Sequence, residues 1–224
     1  MARLCLILFG SPGSGKGTQA KLLKQAFDIA HISTGDMLRE RVASGDKVGQ
    51  AVASLMQAGE LVPDEVVARL VEERIEQPDC VNGFILDGYP RTVNQAGLLA
   101  ELLVLRPVRT VVIHLEVDYN VIITRISGRR QCPTCGALYG VTSNAPKTPG
   151  VCDNDGMKLG VRDDDREEVV RERLRAYEQQ TQPVLAFFQK SGVPCWGVPA
   201  GDSTPQALAT KIETLIRKVR GEAA

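Results

Sequence analysis

The residues with the clearest chemical purpose are Gly10-Ser11-Pro12-Gly13-Ser14-Gly15-Lys16-Gly17-Thr18. They stand between an apolar run, Leu4 to Phe9, that reads as a strand buried on both faces, and a segment in which Ala20, Leu23 and Phe27 recur at helical spacing. Small residues in that setting let successive backbone N–H groups curl around phosphate oxygens, and the helix N-terminus adds its positive end. Lys16 then reaches the outer phosphates as a mobile point charge. The spacing Gly-x4-Gly-Lys between strand and helix separates the stretch from an ordinary glycine-rich turn. The usual pattern follows its lysine directly with Ser or Thr. Here Gly17 intervenes before Thr18, so a direct bond from the Thr18 hydroxyl to a phosphate-bound metal is not expected.

A second group of residues suits a metal: Cys132-x2-Cys135-x16-Cys152-x2-Asp155. Two close pairs separated by a loop match structural zinc spacing, in which each pair supplies two corners of a tetrahedron and a carboxylate is an accepted corner. A disulfide between two of the cysteines, or free thiols, are the alternatives. A site closed by four protein ligands is structural, so no chemistry is assigned to it. Cys5, Cys80 and Cys195 stand singly in or beside apolar stretches and read as small core residues.

The elements that must position these groups follow from periodicity. Ala30 to Ile32 reads as a short strand, and Ser33 to Asp36 as the cap of a helix beginning at Met37. A helix from Lys47 towards Gly59 leads, through Glu60, Leu61 and Val62, to another in which Pro63, Asp64 and Glu65 suit the first turn. Residues 33–62 are thus a small helical excursion. Gly83 to Asp87 is a buried strand ending in a carboxylate, followed by a helix from Thr92 to Leu105. Thr110 to Leu115 is the next strand, where His114 reads as a hydrogen-bonded sheet residue; His31 reads the same way. A helix covers Val121 to Ser127. From Gln131 to Leu159 the chain is rich in Cys, Pro, Gly, Asn and Thr without helical periodicity, and is too long for a structureless loop. A long helix to Lys190, a strand over Val193 to Val198 and a helix over Thr204 to Arg220 close the chain. Strands alternating with helices predict an α/β fold with a parallel sheet covered on both faces.

Composition narrows the function. Among 224 residues, Lys+Arg and Asp+Glu number 27 each, so the net charge is zero. That argues against a dedicated nucleic-acid or membrane-surface binder, which usually carries a basic excess. No apolar run approaches the length of about 18 residues that a membrane span needs, and the first residues lack a signal-peptide pattern. The expected location is the cytoplasm.

Taken together, the glycine loop, Ser33-Thr34-Gly35-Asp36-Met37-Leu38-Arg39, Asp87-Gly88-Tyr89-Pro90-Arg91-Thr92, Arg125-Ile126-Ser127-Gly128-Arg129-Arg130 and the segment from Arg162 to Arg173 occur in order. On them the chain resembles the adenylate kinases of the long-lid type nearly end to end, and the Gly17-Thr18 departure is similar to that family's form of the loop. The resemblance implies a P-loop kinase fold with a parallel five-stranded sheet flanked by helices. It implies a core of residues 1–32, 63–128 and 166–224, an AMP-binding insert over 33–62, and a metal-stapled lid over 129–165. It also implies a monomer that interconverts ATP plus AMP with two ADP, using Mg2+.

The site residues follow from the same resemblance. ATP is expected on Gly13, Ser14, Gly15, Lys16, Gly17, Thr18, Arg129, Leu138 and Tyr139, with its base near Gly201 to Ser203. AMP is expected on Thr34, Arg39, Glu60, Leu61, Val62, Gly88, Tyr89, Pro90, Arg91 and Gln95, with Arg162 and Arg173 reaching its phosphate. An amide such as Gln95 can read adenine because it donates and accepts at once. Asp87 resembles the acidic residue that holds magnesium, here through water. The cysteine cluster looks like the zinc-bearing lid of some bacterial members, including those with aspartate as fourth ligand. Phosphoryl transfer itself asks for positioning and positive charge, and Lys16, Arg91, Arg129, Arg162 and Arg173 are the expected catalytic set. A UMP or CMP kinase would share the fold; the long lid and the Thr34/Gln95 pair favour AMP. A P-loop switch would carry an Asn-Lys-x-Asp base-reading motif, absent from the sequence, and a zinc-knuckle binder would surround its cysteines with basic and aromatic residues.

Overall fold

The computed structural model describes residues 3–104, 106–140, 144–201 and 203–221. Strands β1 (Arg3–Phe9), β2 (Ala30–Ser33), β3 (Gly83–Asp87), β4 (Val108–Glu116) and β7 (Cys195–Pro199) form one parallel sheet in the order β2-β3-β1-β4-β7. This is the five-stranded parallel sheet expected of the α/β class. Side chains alternate along a strand, so an unbroken apolar run must feed two cores. In β1, Leu4, Leu6 and Leu8 face α1 (Lys16–Phe27) and α9 (Pro205–Arg220), packing with Leu23, Leu208, Ile212 and Ile216. Cys5, Ile7 and Phe9 face the other way. They pack with Val71 and Ile75 of α4 (Asp64–Ile75), Ala96 and Leu99 of α5 (Val93–Val104), and Val184 and Phe188 of α8 (Gln182–Lys190). Cys5 and Cys80 are fully buried in this second core and Cys195 packs at its edge, as core residues should.

The excursion after β2 is a pair of helices, α2 (Thr34–Ser44) and α3 (Lys47–Ala58), each opened by a side-chain cap. Ser33 accepts the Asp36 N–H, and Asp46 accepts the Gly49 N–H at 2.7 Å. Gly49 is required for the two to pack: a Cβ there would lie 1.9 Å from the Arg41 carbonyl oxygen. Leu105, the expected end of α5, lies outside the described residues, as does Asp202.

Two regions hold structure that periodicity did not resolve. Residues 129–160 contain a hairpin, β5 (Arg129–Gln131) with β6 (Leu138–Gly140), plus antiparallel bridges Gln131–Gly160 and Val151–Lys158. Three-residue strands are too short to show alternation in sequence. The long helix expected to run to Lys190 is also divided. A turn over Asp163–Asp165 precedes α7 (Glu167–Ala176), and a π-helical turn over Tyr177–Thr181 separates α7 from α8. Pro183, with no N–H to donate back to the previous turn, follows at once. The remaining helix, α6 (Tyr119–Ser127), ends just before the Arg129 hairpin.

Candidate active site and cysteine cluster

The carboxyl ends of β1, β2 and β3 open onto one cleft of about 340 Å3, the edge at which open α/β sheets bind ligands. The loop from Gly10 to Gly15 forms its floor, with Gly15 capping α1. Lys16 Nζ donates to the carbonyls of Gly10 and Ser11 at 2.8 and 2.9 Å. Gly17 explains the unusual Gly-Lys-Gly-Thr order. A Cβ at that position would press to 3.3 Å on Asp87 Oδ2, so glycine lets α1 start beside the carboxylate.

Lys16, Arg39, Arg91, Arg129, Arg162 and Arg173, from five separate segments, all line this cleft. Such crowding has an electrostatic signature. Burial pushes the Lys16 ammonium down to about 7; Asp87 opposes the shift, while Arg91, Arg173 and Arg129 add to it. Burial, Arg173 and Arg39 push Arg91 down to about 10, and burial, Arg39 and Arg129 do the same to Arg162. Arg173 is lowered as well, by burial first. A cleft that presses cations towards neutrality is built for anions.

Carboxylates hold the arginines in place. Asp164 takes Arg173 at 3.1 Å and Arg39 at 3.6 Å, and Asp36 takes Arg39 at 2.6 Å and Arg162 at 4.0 Å. Burial pushes the Asp164 carboxyl up, but Arg173, Arg39 and Arg162 together bring it below its usual range. Asp165, whose side chain has no exposed surface, pairs with Arg129 at 3.1 Å and Arg173 at 3.4 Å. Burial outweighs those partners and raises it. These carboxylates were no part of the expected site; for Asp165, nothing in the spacing says that an arginine from 36 residues away, Arg129, would reach it.

A smaller cavity of about 60 Å3 adjoins the cleft and shares Arg39, Leu61, Gly88, Arg91 and Arg173 with it. Thr34, Glu60, Val62 and Gln95 line it, and Tyr89 and Pro90 line the larger cleft beside it, so the residues expected around the monophosphate come together. Thr34 Oγ1 donates to the Gly88 carbonyl at 3.0 Å. Gln95 is 2% exposed and its amide is already engaged: Oε1 accepts the Arg91 N–H at 2.7 Å, and Nε2 donates to Asp64 at 2.8 Å. Asp64 also accepts from Thr92 and Asn94, clamping the turn that carries Arg91. Gly13, Ser14, Thr18, Leu138, Tyr139 and Ser203 line the larger cleft.

The comparisons with known proteins can now be set beside this geometry. The family model for adenylate kinase matches residues 8–193. The chain belongs to the adenylate kinase family. It is 45% identical over 216 residues to the adenylate kinase of Archaeoglobus fulgidus, covering 96% of this chain and 99% of that one. It is 48% identical over 188 residues to that of Oceanobacillus iheyensis, covering 84% and 87% of the two chains. With that of Syntrophotalea carbinolica, identity is 49% over 189 residues, 84% of this chain and 88% of the other. The protein is thus a phosphotransferase, a nucleoside monophosphate kinase of the AMP and ATP type.

Three groups in the kinase's cleft were given no place in the site from sequence. Arg125 donates to the carbonyls of Ala200 and Gly201 at 2.9 and 3.0 Å, fastening the loop expected near the ATP base. Gln19 Nε2 donates to the Pro205 carbonyl at 3.0 Å, and its Oε1 is the one buried side-chain polar atom without a partner among the described residues. His31 does more than support the sheet: its Nε2 lies 3.3 Å from Asp87 Oδ2, inside the cleft. His114 keeps the expected role, bonded to the Tyr177 hydroxyl at 3.2 Å.

The kinase also brings Cys132, Cys135, Cys152 and Asp155 together, their ligand atoms all within 4.8 Å of one another. Cys135 and Cys152 sulfurs are 3.5 Å apart and Cys132 Sγ is 3.2 Å from Asp155 Oδ2. A tetrahedron with metal–sulfur arms near 2.3 Å has edges of about 3.8 Å, so the cluster could hold a metal after small adjustment. The sulfurs are unbonded, far beyond the roughly 2.05 Å of a disulfide. Among the described residues no helix is long and apolar enough to cross a membrane.

Proposed function

We propose that this kinase catalyses ATP + AMP = 2 ADP with the two nucleotides in the two adjoining cavities. The observation that carries this reading is the convergence of Lys16 and five arginines on the larger cleft, three of which, Arg39, Arg91 and Arg173, also line the smaller cavity. ATP lies along Gly13 to Thr18, with Arg129 on its phosphates and Leu138, Tyr139 and Ser203 along its outer edge. AMP lies in the smaller cavity, framed by Thr34, Arg39, Glu60 to Val62, Gly88 to Arg91 and Gln95. Lys16, Arg91, Arg129, Arg162 and Arg173 then surround the phosphoryl group in transit. Their work is electrostatic: they offset the repulsion of two polyphosphates and the charge spread over the equatorial oxygens.

Magnesium bound with ATP supplies further charge neutralisation across its phosphates. Asp87 would hold it through water; its position at the end of β3 beside Gly17 supports this role. Residues 33–62 act as the monophosphate-binding insert and 129–165 as the lid. The pairs Arg39–Asp164 and Arg162–Asp36 support that division, because they join these two regions across the cleft. Closure excludes the water that would otherwise accept the phosphoryl group. Zinc, favoured by three thiolates and one carboxylate, staples the lid without taking part in chemistry. We read the protein as a cytoplasmic monomer that handles ATP, AMP and ADP; the balanced charge, without a basic excess, supports the absence of a nucleic-acid or membrane-surface partner.

A coupled assay offering AMP, UMP, CMP and GMP against ATP tests the substrate reading. Turnover confined to AMP, and only with a divalent cation, is expected. UMP turned over as fast as AMP would overturn it.

A further inference from the structure

The lid cluster and the nucleotide cleft share one side chain. Tyr139, on β6, lines the cleft beside Leu138 and Gly140, yet it is only 7% exposed and packs with Cys132, Cys152 and Leu159 in the lid's own apolar cluster. Its hydroxyl accepts the Asp153 backbone N–H at 2.8 Å and lies 3.5 Å from Cys152 Sγ. With the amide occupying an acceptor position, the hydroxyl's single proton has the Cys152 sulfur within reach.

The same arrangement recurs at each candidate ligand. Cys132 Sγ accepts the Cys135 N–H at 3.5 Å, Cys135 Sγ accepts the Asn154 amide at 3.6 Å, and Asp155 Oδ1 accepts the Met157 N–H at 3.1 Å. Three thiolates and a carboxylate around a divalent ion leave two negative charges uncancelled, and outer donors that spread this charge strengthen the site. Backbone N–H groups of Asn154 and Asp155 also reach Cys152, and that of Thr134 reaches Cys132; of the two side-chain donors, Asn154 is exposed and Tyr139 is the buried one.

We propose that Tyr139 is a positioning residue of the metal site, its O–H donating to the Cys152 thiolate while its ring forms part of the cleft wall. Metal retention in the lid then depends on a residue that the nucleotide site also uses. This rests on reading the four-residue cluster as a metal site, and the experiment separates the two ideas.

Wild-type protein and Tyr139→Phe, which keeps the ring and removes only the hydroxyl, are loaded with zinc, and release into a coloured chelator is timed. Release from the variant is expected to be about 10- to 100-fold faster. A general loosening of the lid could mimic that result, so both proteins are also loaded with Co2+. Losing a hydrogen bond to the thiolate should move the sulfur-to-cobalt charge-transfer band to longer wavelength. Leu159→Ala, which loosens lid packing without touching a sulfur donor, should leave the band in place. If wild type binds no stoichiometric metal, the metal reading fails. If wild type holds metal and Tyr139→Phe shows the same release rate or an unmoved band, the role assigned to Tyr139 is wrong.

Discussion

Lys16 Nζ lies 2.8 Å from the Gly10 carbonyl oxygen, so the lysine folds back onto the loop that precedes it. Its ammonium is held down to about 7, by burial first and by the surrounding arginines second. ATP phosphates beside it favour the charged form, so binding raises this value and takes up a proton. Below pH 7 lysine is charged with or without ATP, and this contribution to affinity is flat. Above pH 7 affinity falls, at most tenfold per pH unit, until the value in the complex is reached. Calorimetry at pH 7.5 in buffers of different ionisation enthalpy should show net proton uptake. Uptake of zero would mean that Lys16 is fully charged before ATP arrives.

Arg91 is expected to act on the charge that develops during transfer. It stands between the two cavities, with its Nε donating to the Gly88 carbonyl at 2.8 Å. Arg91→Ala should cut kcat by about 100-fold or more with little change in thermal unfolding, because removing one such donor weakens transition-state stabilisation while sparing the core. A near-normal kcat would remove Arg91 from the catalytic set.

Asp64 was legible only as a favourable charge in the first turn of α4, yet it holds Thr92, Asn94 and Gln95 together. Asp64→Ala should therefore raise KM for AMP by about tenfold, with KM for ATP changed much less. Steady-state kinetics with each nucleotide varied in turn decide this, and an equal rise in both constants would point to general destabilisation.

What could be read from sequence was whatever is local or strongly periodic. Leu4 to Phe9 alternates between two cores, the glycine loop sits between strand and helix, and the cysteine pairs carry their own spacing; all three are visible without contacts. The three-residue strands of the Arg129 hairpin are too short for a period, and the π-helical turn at Tyr177 interrupts a run whose polarity pattern continues through it. The partners of the arginines were hidden for a different reason. Asp165 looks like one more acidic residue before a helix, and only the fold makes it a buried counter-charge for Arg129 and Arg173. Gln95 lines the smaller cavity, but its bonds to Arg91 and Asp64 depend on a turn that closes only in three dimensions.

The cysteine cluster should matter to stability more than to chemistry. Its lid has a small apolar core of Cys132, Tyr139, Cys152 and Leu159, too little to hold it unaided. A metal present at a hundred- to thousand-fold excess over its dissociation constant stabilises the folded chain by about 3–4 kcal/mol. Stripping it should lower the unfolding temperature while activity measured well below that temperature largely survives. Asp155→Cys should keep the metal. Loss of phosphoryl transfer in a stripped chain still shown to be folded would contradict a structural role.

The central claim is that two nucleotides bind side by side with their phosphates meeting over Lys16 and the arginines. A two-headed ligand that joins two adenosines through a polyphosphate chain tests it most directly, since linking turns the second contact into an intramolecular one. Calorimetric titration should give one such ligand per chain, bound at least 100-fold more tightly than ATP or AMP alone. Lys16→Ala in the larger cleft and Arg39→Ala, which lines both cavities, should each weaken it. An affinity no better than that of ATP would show that the two cavities do not hold two nucleotides at once.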